Sequence, residues 1–177
     1  MSKALRQSAT SVRPPRRTSR VLPVRPYVPG EGPHPRDITS SAQPYRPFDL
    51  GMGWAHDERV IHGIELIEQG YFWWAHEVME HRWKALSRGT PYRDHCQSLI
   101  QVAAALLLGH MGRDTAAMRL IQSSRRRMSV IPDAIHRPVY GVDWPVVLAH
   151  TTEVVEGRRA HLGAILEPHV RIDGAEG

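Results

Sequence analysis

Apolar residues recur at helical spacing in five separate stretches of this chain. The first lies between about residues 55 and 69, and Gly70 supplies its stop. Similar patterns predict helices over about 71–86, 92–111, 114–130 and 144–157, each followed by turn residues. Asp114 is placed to cap the fourth helix, and Pro145 falls in the first turn of the fifth, where proline is tolerated. Because the connections are short, we predict an all-α fold, a compact bundle of about five antiparallel helices.

The third helix has the most uniform pattern. Its stretch from Leu99 to Leu108 is apolar on every side except at Gln101. A helix that is apolar all round lies in the centre of a fold, so we expect the other helices to pack around this one. Gln97 and Gln101 would then enter the core one turn apart.

The second helix carries the candidate chemistry, in the segment Ala75-His76-Glu77-x-x-Glu80-x-x-Trp83. Placed on a helix, His76 lies about 40° and Glu80 about 80° from an apolar stripe that starts at Phe72, and Glu77 points further out. A buried imidazole and a buried carboxylate need hydrogen-bond partners. We therefore predict a cluster at the core, with Glu77 at its edge, formed by His76, Glu80, Gln97 and Gln101.

Three roles are open for this cluster. It could be a polar network that fixes how the helices pack, or a pocket for a small polar ligand lined by Gln97, Gln101 and Trp83. It could also be a metal or acid/base site of a hydrolase, with His76 and Glu80 as metal ligands, or with His76 as the acid and Glu80 or Glu77 as the base. A zinc-protease motif is excluded, because the fifth position of His-Glu-x-x-His is Glu80 here.

The first 47 residues have a different composition. They hold nine of the 14 prolines and nine Lys or Arg against two acidic residues, so they carry +7 and the rest of the chain −2. We predict a disordered, basic, Pro/Arg-rich arm over 1–47, a helical domain over 54–157, and an extension over 158–177 that is partly helical and then disordered. The arm is expected to be a solvated linker, and binding of nucleic acid, anionic lipid or a partner domain is the alternative.

Further positions bear on partners and compartment. The run Tyr71-Phe72-Trp73-Trp74 cannot face one core entirely, which favours self-association or a protein partner there. Arg125-Arg126-Arg127 suits a solvated helix end, with phosphate binding as the alternative. The single cysteine, Cys96, excludes an internal disulfide, and no apolar run is long enough to span a bilayer. We expect a cytoplasmic protein without membrane contact and without a cofactor, a divalent metal being the one exception.

These motifs resemble the prokaryotic domain-of-unknown-function family 309. Its pattern Gly-x-Tyr-Phe-Glu-Ala-His-Glu-x-x-Glu-x-x-Trp is similar to 70–83, and its Gln-Gly-Leu-Ile-Gln-x-Ala is similar to 97–103. Gly141-Val142-Asp143 resembles the family's closing turn. Two positions depart from the pattern: Trp74 replaces a glutamate and Leu108 a frequent histidine. The resemblance implies a compact helical bundle with no established activity.

A short repeat points to a scaffold. Gly70 with Ala75 and Gly112 with Ala117 repeat Gly-x4-Ala at the start of successive helices, as in tetratricopeptide-like hairpins. We therefore predict an interaction or small-ligand-binding module, with the hydrolase and the nucleic-acid-associated protein as alternatives.

Overall fold

The computed structural model describes residues 14–35, 44–48, 51, 53–131, 141–166 and 170. Within these ranges the chain forms five α-helices, one short 3₁₀ helix and no strand, which confirms the all-α prediction. The 3₁₀ helix spans Trp54–His56, and the α-helices are α1 (Glu58–Glu68), α2 (Phe72–Ala85), α3 (Pro91–His110), α4 (Asp114–Met128) and α5 (Trp144–Val155). Each boundary falls within about three residues of the predicted one.

Side-chain caps start three of the helices. Asp57 accepts from the Val60 amide, Thr90 from the Arg93 amide, and Asp143 from the Val146 amide, at 3.2–3.3 Å. The prediction that Asp114 caps α4 is wrong, because Asp114 is already the first helical residue and the position before it is Arg113. Its carboxylate therefore acts on the helix dipole and makes no cap.

The two Gly-x4-Ala segments form the same turn twice. Gly70 and Gly112 adopt positive φ angles of 86° and 71°, which favour glycine. In each turn the amide after the glycine donates to a carbonyl five residues back: Tyr71 to Leu66, and Arg113 to Leu108, both at 2.8 Å. The following helix then buries its alanine, Ala75 or Ala117, completely. The repeat therefore marks two equivalent helix-to-helix connections.

Helix α3 lies in the middle of the bundle, as predicted. It packs against α2, α4 and α5 and touches α1. Its fully buried positions include Leu99, Val102, Ala103 and Ala105. On the other side of α2, α1 approaches so closely that a Cβ on Gly63 would lie 2.3 Å from Cγ of Met79. Only glycine fits at position 63, and this allows α1 and α2 to pack closely against each other.

Candidate functional site

The predicted catalytic candidates on α2 lie at the surface of the bundle. His76 and Glu77 side chains are each 33% exposed, and His76 Nδ1 lies 3.3 Å from a Glu77 oxygen. Glu80 pairs with Lys84 one turn on, at 2.8 Å. The hydrogen bond from Lys84 lowers the pKa of Glu80. A general base for neutral pH needs a raised carboxyl pKa, so this direction does not suit Glu80 for that role.

The glutamines of α3 face a different neighbour. Gln101 donates to Ser123 Oγ at 3.2 Å and accepts from Arg127 at 2.7 Å, so it joins α3 to α4. Gln97 is half-buried on the same helix. The predicted bonding of His76 and Glu80 to these glutamines is therefore wrong. The buried positions of α2 are Ala75, Val78 and Met79, which place the core-facing direction about 100° away from His76.

Trp83, the third predicted ligand-binding residue, lies at the end of α2. The guanidinium of Arg93 sits 4.2 Å from the centre of its ring and also donates to the Trp83 carbonyl at 2.6 Å. Its indole nitrogen is buried and has no hydrogen-bond partner in the part of the chain that the structure describes. Among the same residues, no group of three His, Cys, Asp or Glu side chains is arranged to hold a metal ion. The catalytic, ligand and metal roles of the α2 and α3 residues stay predictions.

His76→Ala is expected to change the free energy of unfolding by less than about 1 kcal/mol, because a half-buried side chain at the surface with one 3.3 Å hydrogen bond contributes little. Urea unfolding of both proteins measures the difference. Met79→Ala, which opens a cavity on the buried side of the same helix, is the matched comparison and should cost about 2–5 kcal/mol. If His76→Ala lowered the free energy of unfolding as much as Met79→Ala, His76 would belong to the core, as the sequence pattern predicts.

A second set of charged side chains is far more buried. Helix α1 carries Glu58, Glu65 and Glu68, which lie on one side of the helix because they are seven and three residues apart. We call these three residues the glutamate face. Glu65 is completely buried and the side chain of Glu68 is 0% exposed. Carboxylates so far from water need cationic or hydrogen-bonding partners, since an unpaired buried charge costs several kcal/mol.

Arg17 of the arm is the partner of Glu68. Its Nε and Nη2 atoms donate to the two Glu68 oxygens at 2.6 and 2.8 Å, and its own side chain is 0% exposed. The remaining guanidinium hydrogens reach the carbonyls of Leu166 at 2.7 Å and Val170 at 3.0 Å. The amide of Ile165 also donates to Glu68, at 2.6 Å. One arginine therefore joins the arm, α1 and the segment after α5.

The neighbouring arm residues continue the contact along α1. Glu65 accepts from the side chain of Arg16, from the Arg17 amide at 3.2 Å and from the Thr18 hydroxyl at 2.5 Å. Further polar contacts lie at the two ends of the helix, where Arg20 pairs with Glu58 at 2.9 Å and Gln69 donates to the Pro14 carbonyl at 2.8 Å. Residues 14–20 thus run antiparallel to α1. The six steps from residue 14 to residue 20 span at most about 20 Å when extended, which is enough to follow this helix of about 17 Å.

The arm also covers the aromatic run on α2. The indole nitrogen of Trp74 donates to the Arg25 carbonyl at 3.3 Å. Tyr27 and His34 pack edge-on against Trp73, with ring centres 4.7 and 5.2 Å away. Trp73 and Trp74 of the predicted contact surface at residues 71–74 are therefore contacted by the arm of the same chain. Association with another protein at this surface stays a prediction.

The arm returns to α1 at Tyr45. Its hydroxyl lies 2.7 Å from His62 Nδ1, and the guanidinium groups of Arg20 and Arg59 sit 3.7 and 4.0 Å from its ring centre. Burial raises the pKa of Tyr45. Burial, with the positive charges of Arg20, Arg16 and Arg59 added, lowers the pKa of His62 to about 3. This histidine is therefore neutral at physiological pH.

A third cluster of polar side chains lies inside the bundle and connects four of its helices. The cap residue Asp57 also accepts from Arg82 Nε at 2.5 Å and from the Tyr92 hydroxyl at 2.9 Å. Tyr92 stacks on His95, whose Nδ1 lies 3.3 Å from the indole nitrogen of Trp144. Burial raises the pKa of Tyr92, so its hydroxyl keeps its proton. This arrangement holds α1, α2, α3 and α5 together.

Docking of the arm was not predicted from the sequence. Within residues 14–35 and 44–48 the chain has no helix or strand, as expected for the arm, but Arg17, Thr18 and Arg20 are buried. The expectation of a solvated linker is therefore wrong for these three residues, which pack against the glutamate face. Residues 1–13 and 36–43 of the predicted arm lie outside the described residues. Residues 158–166 contain no helix, and most of the remaining C-terminal extension also lies outside them.

The fold and the docked arm define an all-α domain with a carboxylate-bearing face that the arm covers. A sequence model of the family described as domain of unknown function (DUF309) matches residues 60–120. These residues are therefore similar to that family, and the resemblance predicted from the motifs is confirmed over them. No curated protein and no solved structure matches the chain. Among the described residues, no helix has the length and apolarity to cross a membrane.

Proposed function

We propose that the helical domain is an interaction module whose α1–α2 surface binds an extended, arginine-rich segment. In this structure the segment is the chain's own arm, at residues 14–34. The observation that carries the proposal is the pair Arg17–Glu68, in which both side chains are 0% exposed and two parallel hydrogen bonds form. A planar guanidinium matches a carboxylate in this two-pronged way and a lysine does not.

The two sides of the contact come from different parts of the chain. Glu65 and Glu68 fall inside the segment 60–120 that matches the family, and the arginines that bind them fall outside it. Such a division is typical of a receptor surface and its ligand. The arm is also bound through its backbone, at the Arg17 amide and the Pro14 carbonyl, as extended peptides are recognised elsewhere.

Prolines in the arm make it a suitable ligand. Pro14 and Pro15 restrict the free chain to extended conformations, so less entropy is lost when it binds. The aromatic contacts of Tyr27 and His34 with Trp73 supply a second anchor on α2. Two anchors on one segment explain how a chain without helix or strand is held on the surface.

An exchange experiment tests the proposal. In the full chain, Arg17→Ala weakens the arm's own contact, and a labelled peptide covering residues 12–22 is then added. We expect the peptide to bind this variant and to bind the unaltered protein at least about tenfold more weakly, because there the arm competes from the same chain. Fluorescence anisotropy measures both affinities. Since charges contribute, binding should weaken as salt is raised.

Two controls make the result specific. A peptide with both Arg16 and Arg17 replaced by alanine should not bind, and Glu68→Gln added to the Arg17→Ala protein should abolish binding of the natural peptide. Arg17→Lys keeps a charge opposite Glu68 and loses the two-pronged contact, so it supplies a second, more stable variant. If either variant is folded by circular dichroism and takes up no peptide, the arm is a fixed part of the fold and the proposal fails.

A further inference from the structure

The basic charge of the helical domain is concentrated on α4. Between residues 113 and 128 there are five arginines and one acidic residue, Asp114. The glutamate face of helix α1, by contrast, is covered by the arm, whose arginines neutralise its charge. The excess positive charge of the described structure therefore lies on α4 and is separate from the arm.

Two of these arginines share one exposed side of the helix. Arg119, Gln122 and Arg126 are spaced three and four residues apart, so they lie within about 60° of one another around the helix. All three are exposed, and the adjacent Arg125 is exposed as well. We call Arg119 and Arg126, together with Arg125 on the neighbouring side of the helix, the arginine face. Along the helix it extends for about 10 Å.

The arginine face has no counter-charge in the described part of the chain. Arg127, one residue further on, turns inward and pairs with Asp94 at 3.5 Å and with Gln101 at 2.7 Å. No carboxylate among the described residues pairs with Arg119, Arg125 or Arg126. Unpaired like charges on one helix repel each other, so the arrangement costs stability when nothing is bound.

The helix dipole accounts for only part of this pattern. Cations in the last turn of a helix are favourable, which suffices to explain Arg125, Arg126 and Arg127. Arg119 lies in the middle of α4, where the dipole has little effect. Its alignment with Arg126 therefore calls for another explanation, namely an anionic ligand that spans both side chains.

We propose that the arginine face of α4 binds the phosphate backbone of a nucleic acid. Guanidinium groups pair with phosphates through two hydrogen bonds, and two groups about 10 Å apart can reach separate phosphates of one strand. The exposed neighbours Thr115, one turn before Arg119, and Gln122, between the two arginines, are polar and suit contacts to phosphate or sugar oxygens. A helix lying on a membrane would need apolar residues beside its cations. This inference goes beyond the proposed peptide-binding function and uses none of its residues.

Binding of labelled oligonucleotides by the full chain tests this site. The probes are a single-stranded RNA and a DNA duplex, each of about 20 nucleotides or base pairs, in about 50 and 150 mM salt. Arg119→Ala/Arg126→Ala should weaken binding at least about tenfold and reduce the salt dependence by roughly two released ions. Arg158→Ala is the control, because Arg158 is exposed, lies outside α4 in the chain and already pairs with Glu156. It should leave the affinity within about twofold.

The outcomes separate the alternatives. An equal loss in the double variant and in Arg158→Ala would show non-specific attraction to a basic protein and overturn the proposal. Absence of binding at the lower salt concentration, or binding only to vesicles that contain anionic lipid, would overturn it too. Because Arg17→Ala leaves α4 intact, a failed peptide exchange and a failed oligonucleotide experiment can be told apart.

Discussion

Arg17→Ala is expected to lower the free energy of unfolding by about 3–5 kcal/mol, the usual cost of removing one partner of a buried ion pair. The substitution leaves Glu68 facing only amide donors and deprives the Leu166 and Val170 carbonyls of their donor. Urea unfolding monitored by tryptophan fluorescence measures the loss. Trp73 and Trp74 report on the arm directly, because arm residues contact both.

The comparison for this substitution comes from the same arm. Arg25→Ala removes an exposed side chain and keeps the backbone carbonyl that Trp74 uses, so it should cost less than about 0.5 kcal/mol. The double replacement Arg17→Met/Glu68→Leu removes both charges and should recover part of the loss. Equal stabilities of Arg17→Ala and Arg25→Ala would mean that the arm's ion pairs contribute nothing to folding.

Acid is expected to destabilise the protein through His62. The folded pKa of His62 is about 3, below the ordinary value of 6.5 that applies to the unfolded chain. Above pH 6.5 both states are neutral at this residue, and no pH dependence arises from it. Between pH 6.5 and 3 the unfolded chain binds a proton that the folded chain does not, so stability falls as pH falls. This contribution amounts to about 2 kcal/mol by pH 5 and about 4–5 kcal/mol near pH 3.

A difference between two proteins isolates this contribution from other acid effects. Unfolding free energies of the natural chain and of His62→Gln are measured from pH 7 to pH 4, and the variant should lose less stability over that range. His81→Gln, at an exposed position on α2, should follow the natural chain. Parallel curves for all three proteins would show that His62 takes up its proton without unfolding, contrary to its burial beneath Tyr45 and three arginines.

The helices could be predicted because their signals are local. Apolar spacing and turn glycines give the bounds of α1 to α5 within about three residues, and the uniform apolarity of α3 gives its central position. Tertiary contacts of single side chains are different. The apolar pattern misplaces the buried side of α2 because the predicted stripe starts at Phe72, which is only partly buried. Small residues, Ala75 and Gly63, determine which side of α2 meets α1.

Docking of the arm left a weaker signal in the sequence. Three glutamates on one side of α1 stand beside apolar residues that had to be buried, and the first 47 residues carry the opposite charge. That combination could have suggested an intramolecular contact. It could not have supplied the pairing of Arg17 with Glu68 or the direction of the arm, since these depend on where each carboxylate lies in the folded structure.

The contacts of Arg17 have a consequence for how the chain is made. Arg17 is synthesised about 150 residues before the Leu166 and Val170 carbonyls that it binds. During synthesis α1 to α4 can assemble while the guanidinium still lacks these two acceptors. The last contacts of Arg17 therefore form only after the segment that follows α5 has been translated. Until then the arm is held on the glutamate face by its contacts with α1 and α2 alone, so a cationic partner that acts during synthesis competes with a weaker contact.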